Sequence, residues 1–121
     1  MFENLYEKAK DGIAVADVES KILGAMGLAK RAGKLETGAE MCEEAIRAGR
    51  AEITCLASNL SENSEKKLMS ALRAKESPYI ILNATKEELG ERFGRKAFAV
   101  ALSITDKGFA KIIYKALGIS E

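Results

Sequence analysis

The chain of 121 residues is 47% hydrophobic with one proline, which fits a single domain with a buried core, and it lacks the roughly 18–20 consecutive apolar residues of a membrane span. Its formal charge of +1 divides unevenly: residues 1–19 hold five acids and two lysines, net −3, whereas the remainder holds 17 bases and 13 acids, net +4. The chain has no histidine, and Cys42 and Cys55 lack CxxC spacing. These features argue against a zinc site and a disulfide framework, weaken any interpretation as an enzyme, and predict two buried free thiols. We also expect no bound cofactor.

Residues 1–19 form an acidic leader, which we expect to be a short helix or a loosely attached segment. The weak helical spacing of Phe2, Leu5 and Tyr6 is interrupted by Gly12. The segment lacks the positive start and the apolar stretch of a secretory signal, so we expect a cytoplasmic protein.

Helical periodicity becomes clear from Ser20 and stops at Gly33, which is well placed to end a helix. Within this helix, Gly24 and Gly27 have the GxxG spacing of a loop that clamps nucleic-acid backbone. Such a loop exposes a basic residue between its glycines, whereas the two residues here continue the apolar pattern. We therefore interpret the glycines as positions of close helix packing.

A basic run of Lys30, Arg31 and Lys34 lies between the end of this helix and the start of the next. Cations at a helix C-terminus complement the helix dipole. The same side chains could instead contact phosphates beside the next helix, whose free N–H groups favour anions. The local sequence leaves both roles open.

The residues Thr37-Gly38-Ala39-Glu40 have the pattern of a capping box, in which a hydroxyl and a carboxylate bind the first free N–H groups of a helix. The pattern predicts a helix from Gly38 to about Gly49. Residues 34–36 leave room before it for only a very short strand.

The second half of the chain alternates short apolar runs with helical segments that carry capping residues. In order, we expect a buried strand over 53–57, a helix capped near Asn59 or Ser61, and a strand over 79–82. A short helix opened by a Thr85–Glu88 capping box and a strand over 97–104 follow. The last helix should be capped by Thr105 or Asp106, and its inner side should carry Phe109, Ile112, Ile113 and Leu117. Helices and strands then alternate throughout, which predicts a three-layer α/β/α sandwich.

Arg92 and Lys96 flank a glycine and precede the apolar pair Ala97 and Phe98. Basic side chains beside an aromatic ring can hold phosphate and stack a base. Phe98 could equally be a strand residue that faces the core.

Three stretches of the chain together resemble a known family: LGAMGLAKRAGKLETGAE, AIRAGRAEITCLASNLSENSEKKL and ATKEELGERFGRKAFAVALSITDKGFAKII. They look like the bacterial YlxQ-type branch of the superfamily that includes the archaeal kink-turn-binding large-subunit ribosomal protein. The resemblance covers about residues 20–117. It implies a ribosomal-type RNA-binding domain over residues 20–121, with a central four-stranded mixed sheet between helices.

The resemblance also implies an RNA surface at one end of the sandwich. That surface would comprise Lys34, the Gly38 turn with the start of its helix, and the loop around residues 96–98. With the basic residues noted above, the expected RNA-binding set is Lys30, Arg31, Lys34, Gly38, Ala39, Glu40, Met41, Arg92, Lys96, Ala97 and Phe98. We expect a noncatalytic monomer that binds a bent or looped RNA of the kink-turn kind, with ribosomal RNA as a candidate and with no small-molecule substrate, no bound metal and no membrane contact.

Three positions depart from the family's pattern. The family's usual asparagine and glutamate pair corresponds here to Glu40 and Met41, and a following lysine corresponds to Glu44. A methionine flanked by acids suits a protein contact better than a phosphate contact. The alternative hypothesis is therefore a protein-interaction module that kept the fold and lost specific RNA recognition.

Overall fold

The structure, a computed structural model, describes residues 2–9, 12, 14–94 and 98–120. A short 3-10 helix, Leu5–Lys8, precedes five α-helices and four strands. In chain order these are α1 (Val15–Arg31), β1 (Leu35–Thr37), α2 (Ala39–Arg47), β2 (Ile53–Leu56), α3 (Glu62–Lys75), β3 (Tyr79–Ile81), α4 (Lys86–Phe93), β4 (Ala101–Ile104) and α5 (Lys107–Leu117). None of the described helices is long and apolar enough to cross a membrane.

The four strands form one mixed sheet in the order β1-β4-β2-β3. β4 is antiparallel to both β1 and β2, and β3 is parallel to β2. The central strands β2 and β4 are buried along their whole length, because helices cover both faces of the sheet. The predicted four-stranded mixed sheet is confirmed.

The helices form two layers, one on each face of the sheet. α1 and α5 pack against each other and share one apolar core with α4. On the opposite face of the sheet, α2 and α3 pack together over a second apolar core. Successive side chains of β2 point to opposite faces of the sheet and therefore contribute to both cores. Ile53 and Cys55 lie in the first core, and Leu56 lies in the second. The predicted α/β/α sandwich is confirmed.

Several boundaries and faces differ from the sequence prediction. α1 begins at Val15, five residues before the predicted start at Ser20. β4 begins at Ala101 rather than at residue 97, because the preceding segment bonds to other elements: Ala99 N–H donates to the carbonyl of Lys86. Ile112 is exposed rather than on the inner face of α5.

The reading of Gly24 and Gly27 as close-packing positions is also wrong. No described heavy atom lies within 4 Å of the point where a Cβ would stand on either glycine. Both therefore weaken the helix interior without allowing a described element to approach closely.

Both cysteines are buried free thiols, as predicted. Burial raises the pKa of Cys42 to about 12 and also raises the pKa of Cys55. The Cys42 thiol donates to the carbonyl of Glu36 at 3.5 Å. Among the described residues, no group of three or more histidine, cysteine or carboxylate side chains could hold a metal ion.

The buried Cys42 thiol should make the protein less stable at alkaline pH. The pKa of this thiol is raised from 9.0 to about 12 on folding, so the unfolded chain releases the proton first. Its stabilising effect is complete below about pH 9 and is lost as the pH rises toward 12. Urea unfolding at about pH 8, 9.5 and 10.5 should show a falling free energy of unfolding, and Cys42→Ala should make that fall shallower. Identical pH slopes in the two proteins would contradict the assignment.

One buried carboxylate ties three parts of the chain together. Glu19 in α1 is only 8% exposed. Its carboxylate accepts hydrogen bonds from the Tyr6 hydroxyl at 2.7 Å and from the backbone N–H groups of Asn83 and Ala84, each at 2.8 Å. The two N–H groups precede Thr85, the N-cap of α4, so Glu19 fixes where that helix starts.

Removing the Glu19 carboxylate should destabilise the fold. Glu19→Ala leaves two backbone N–H groups and a phenol without their acceptor, which should lower the free energy of unfolding by about 2–4 kcal/mol. Glu19→Gln should cost less, because the amide oxygen still accepts. Glu91→Gln, at an exposed position of α4, is the control and should stay within about 0.5 kcal/mol of wild type in urea unfolding. Equal effects of Glu19→Ala and Glu91→Gln would show that the carboxylate holds nothing together.

Candidate nucleic-acid interface

A single glycine joins β1 to α2. The Gly38 N–H donates to the carbonyl of Ala101 at 2.9 Å, which extends the pairing of β1 with β4 by one bond. Its φ of 103° and ψ of 161° lie in a region that essentially only glycine adopts. No described heavy atom lies within 4 Å of the point where a Cβ would stand. The backbone conformation, rather than crowding by the protein, therefore calls for glycine here.

The predicted Thr37–Glu40 capping box is wrong. Thr37 is the last residue of β1 and pairs with Leu102 of β4, so it does not serve as the N-cap of α2. α2 begins at Ala39, with Gly38 as an N-cap that has no side-chain hydrogen bond. The first N–H groups of α2 thus have no capping side chain among the described residues, and they leave the positive end of the helix dipole uncovered.

An open groove of about 770 Å³ begins at this helix end. Its lining comes from β1, the start of α2, the end of α4 and the segment before β4, with one residue each from α1 and α3. The described lining residues are Lys30, Leu35, Glu36, Thr37, Gly38, Ala39, Met41, Ser64, Phe93, Gly94, Phe98, Ala99 and Val100.

Two large apolar side chains in the groove lining are exposed. Phe98 is 54% exposed and Met41 is 46% exposed. The ammonium of Lys86 lies 5.4 Å from the centre of the Phe98 ring, within the range of a cation–π contact. The alternative in which Phe98 faces the core is therefore wrong, because the residue precedes β4 and its ring reaches solvent.

Hydrogen bonds to α4 hold the side of the groove that carries Phe98. The Lys30 ammonium donates to the carbonyl of Phe93, the last residue of α4, at 2.8 Å. Ala99 N–H donates to the carbonyl of Lys86, the first residue of α4, at 2.9 Å. One of the two roles predicted for Lys30 was to complement the C-terminal end of its own helix, α1. Its ammonium instead complements the C-terminal end of α4.

A polar pair beyond the groove fixes the start of α4. The side-chain oxygen of Asn59 accepts the N–H of Lys86 at 2.7 Å, and its amide nitrogen donates to Glu87 at 2.9 Å. The second bond lowers the pKa of Glu87, because it stabilises the ionised carboxylate. The Thr85–Glu88 capping box is confirmed and adds a further constraint.

The structure brings together five of the predicted site residues and separates others. Lys30, Gly38, Ala39, Met41 and Phe98 line the groove, and Lys96 and Ala97 lie outside the described residues. Exposed residues that do not line it are Arg31, Lys34 and Glu40. Arg92 lines two clefts between α1 and α4 instead, with its guanidinium carbon 5.6 Å from the Phe93 ring centre.

Sequence reasoning did not find several groove residues. Phe93 and Ser64 lie on α4 and α3, and nothing in their local sequence indicates that those helices reach this groove. Lys86 follows the recognised cap Thr85, so its place at a helix start was predictable, but its approach to the Phe98 ring was not.

The family is established by comparison with known proteins. The family model described as the ribosomal protein L7Ae/L30e/S12e/Gadd45 family matches residues 20–114. The chain belongs to this family. Two curated relatives, each named RNA-binding protein YlxQ, are similar to it: one from Enterococcus faecium at 39% identity, covering 75% of this chain and 85% of the relative, and one from Bacillus subtilis at 32% identity, covering 76% and 90%. The resemblance seen in the sequence is confirmed.

Solved structures of this fold agree with the described architecture. A Bacillus halodurans protein of unknown function superposes with a TM-score of 0.69 at 26% identity, covering 81% of this chain and 97% of that one. The Giardia lamblia 15.5kD RNA binding protein superposes with a TM-score of 0.70, covering 89% and 91%. At 18% identity, the second match shows the shared fold alone.

Gly38→Ala should destabilise the protein although its Cβ would meet open space. The cost is backbone strain, about 1–3 kcal/mol, at a conformation that only glycine adopts readily. Gly24→Ala is a matched control with equally open space and ordinary helical backbone, and it should stabilise by about 0.5–1 kcal/mol. Urea unfolding measures both, and a neutral Gly38→Ala would contradict the role assigned to the backbone.

Proposed function

We propose that this chain is a noncatalytic RNA-binding protein and that the groove beginning at Gly38 holds a bent or looped RNA of the kink-turn kind. The observation that carries the proposal is the combination, in one groove, of an uncapped helix N-terminus and an exposed aromatic ring. The two curated relatives named as RNA-binding proteins support it.

The helix end suits an RNA backbone or a base edge. Its free N–H groups and positive dipole favour anions and acceptor atoms, and Gly38 places no side chain in front of them. Lys30 also lines the groove, and its ammonium, which is bonded to the carbonyl of Phe93, adds a positive charge beside it. A sharply bent RNA offers the groove a defined backbone shape, which a regular duplex does not.

The aromatic side suits an unpaired nucleotide. Stacking of a base on an aromatic side chain contributes about 1–3 kcal/mol and does not depend strongly on the base. Phe98 is exposed for such stacking, and the cation of Lys86 beside its ring can also approach a phosphate. An RNA with an extruded base next to a bend satisfies both parts of the groove.

The acidic residues near the start of α2 should weaken this binding relative to a lysine-bearing family member. Glu44 lies 3.8 Å from the guanidinium of Arg50, and that exposed ion pair screens little of its charge. Glu40 is exposed one turn earlier. We propose that its partner is ribosomal RNA or another folded RNA in the cytoplasm and that the protein acts as a monomer.

Phe98→Ala should lower the affinity for a kink-turn RNA by about 10- to 100-fold, because a stacking contact is lost. Ile112→Ala on α5 is the matched control, since that side chain is also exposed but lies away from the groove, and it should bind as wild type does. Binding is measured at two salt concentrations against the kink-turn RNA and an unbent duplex of equal length. Equal, negligible binding of wild type to both RNAs would reject the proposal. Equal affinities of the Phe98→Ala and Ile112→Ala variants would show that Phe98 is not part of the binding site.

The second candidate function is a protein-interaction module. The exposed Met41 in the groove lining favours it, because methionine adapts to an apolar partner surface and offers little to a phosphate. Copurification before and after ribonuclease treatment separates the two. A partner that stays bound after complete RNA digestion, and that Met41→Glu releases, would support this candidate.

A further inference from the structure

The strand β3 is an edge of the sheet and has the composition of a strand that pairs readily. It follows β2 in the strand order, and no further strand of the described residues lies beside it. Its sequence Tyr79-Ile80-Ile81 is apolar and carries no charge. Pro78 O and Leu82 N bond to β2, so the N–H and C=O groups of Tyr79 and Ile81 point away from the sheet. Such an edge is a template for pairing with another chain.

The segment of residues 2–9, here called the strap, occupies this edge. Asn4 forms a parallel bridge with Tyr79, and its side-chain oxygen accepts the N–H of Ile81 at 3.1 Å. The Phe2 ring lies 5.0 Å from the Tyr79 ring, and the guanidinium of Arg73 lies 5.1 Å from the centre of the Phe2 ring. The strap thus engages both residues whose backbone groups point outward.

Two side chains anchor the strap to the body of the protein. Leu5 is buried in the core that α1 shares with α5, and the Tyr6 hydroxyl donates to Glu19 at 2.7 Å. The ion pair between Lys8 and Glu3 lies within the strap itself and is partly exposed. The strap also precedes the region 20–114 that the family model matches. It therefore lies outside the matched family region, and Leu5, Tyr6 and Asn4 hold it against the body of the protein.

We propose that the strap keeps the protein monomeric by covering β3, and that its displacement lets β3 pair antiparallel with β3 of a second copy. The outward N–H and C=O groups of Tyr79 and Ile81 would then bond to the same groups of the partner about a two-fold axis, joining the two sheets. A second copy is the favoured occupant because the strand has no charge and the whole chain carries only +1, so two copies repel weakly. Ile81, which is 41% exposed, would become covered.

The test displaces the strap in the full-length protein. Asn4→Ala/Leu5→Asp removes the acceptor of the Ile81 N–H and places a charge where Leu5 is buried. Wild type should have the mass of a monomer by light scattering across the accessible concentrations, and the variant should shift to a dimer as concentration rises. Hydrogen exchange at Tyr79 and Ile81 should be slow in the dimer. A variant that is folded and monomeric, or a wild type that is already a dimer, would overturn the proposal.

A control separates edge pairing from association through the apolar surface that the strap leaves exposed. Adding Ile81→Lys to the displaced variant should restore the monomer, because a lysine on an edge strand opposes pairing. Adding Ile112→Lys, at a similarly exposed position on α5, should leave the dimer intact. A dimer that survives Ile81→Lys would show that another surface is responsible. If the Leu5→Asp variant does not fold, Phe2→Ala/Tyr6→Phe loosens the strap more gently, and the same outcomes apply.

Discussion

The backbone conformation of Gly38 is the constraint on which the candidate site depends. It lets the chain leave β1 and enter α2 within one residue, while the Gly38 N–H stays bonded to Ala101 at the end of the β1–β4 ladder. A residue with a Cβ adopts this conformation only at a cost in strain. Because the turn is so short, no residue remains between strand and helix to cap α2. The free helix end is thus a consequence of how the sheet is connected, and it needs no specialised side chain.

The opposite side of the groove depends on residues that are distant in sequence. Glu19 fixes the entry into α4 through two backbone N–H groups, and Lys30 holds the carbonyl at its end. Ala99 is bonded to the carbonyl of Lys86, so the chain returns to the start of α4 just before β4. Phe98 therefore reaches solvent one residue before a fixed point. A ring held in this way loses less conformational freedom on stacking than one on a free loop, and more of the stacking energy is available for binding.

Local signals in the sequence predicted the helices and strands. The capping prediction that was wrong, at Thr37, failed because pairing between strands distant in sequence overrode the local pattern. The alternation of elements and the caps Thr85 and Asp106 were correct because they depend on neighbouring residues only. Thr37 satisfied the same kind of pattern, but pairing with β4 took it into a strand. For the site, the glycine and the aromatic residue were found, whereas a basic run does not reveal where its side chains lie. Lys34 is bonded through its carbonyl to Thr105, at the end of β1 opposite Gly38.

The two edges of the sheet differ in what lies beside them, and this explains why an acidic leader that lies outside the described groove lining is nevertheless packed against the core. The edge strand β1 lies along the groove, and its three residues are among the groove lining. The edge strand β3 lies outside the described groove lining, and its apolar sequence would pair with any extended chain that reached it. A segment arriving from the N-terminus covers it, held there by the contacts of Asn4 with Tyr79 and Ile81, by the buried Leu5 and by the hydrogen bond from Tyr6 to Glu19.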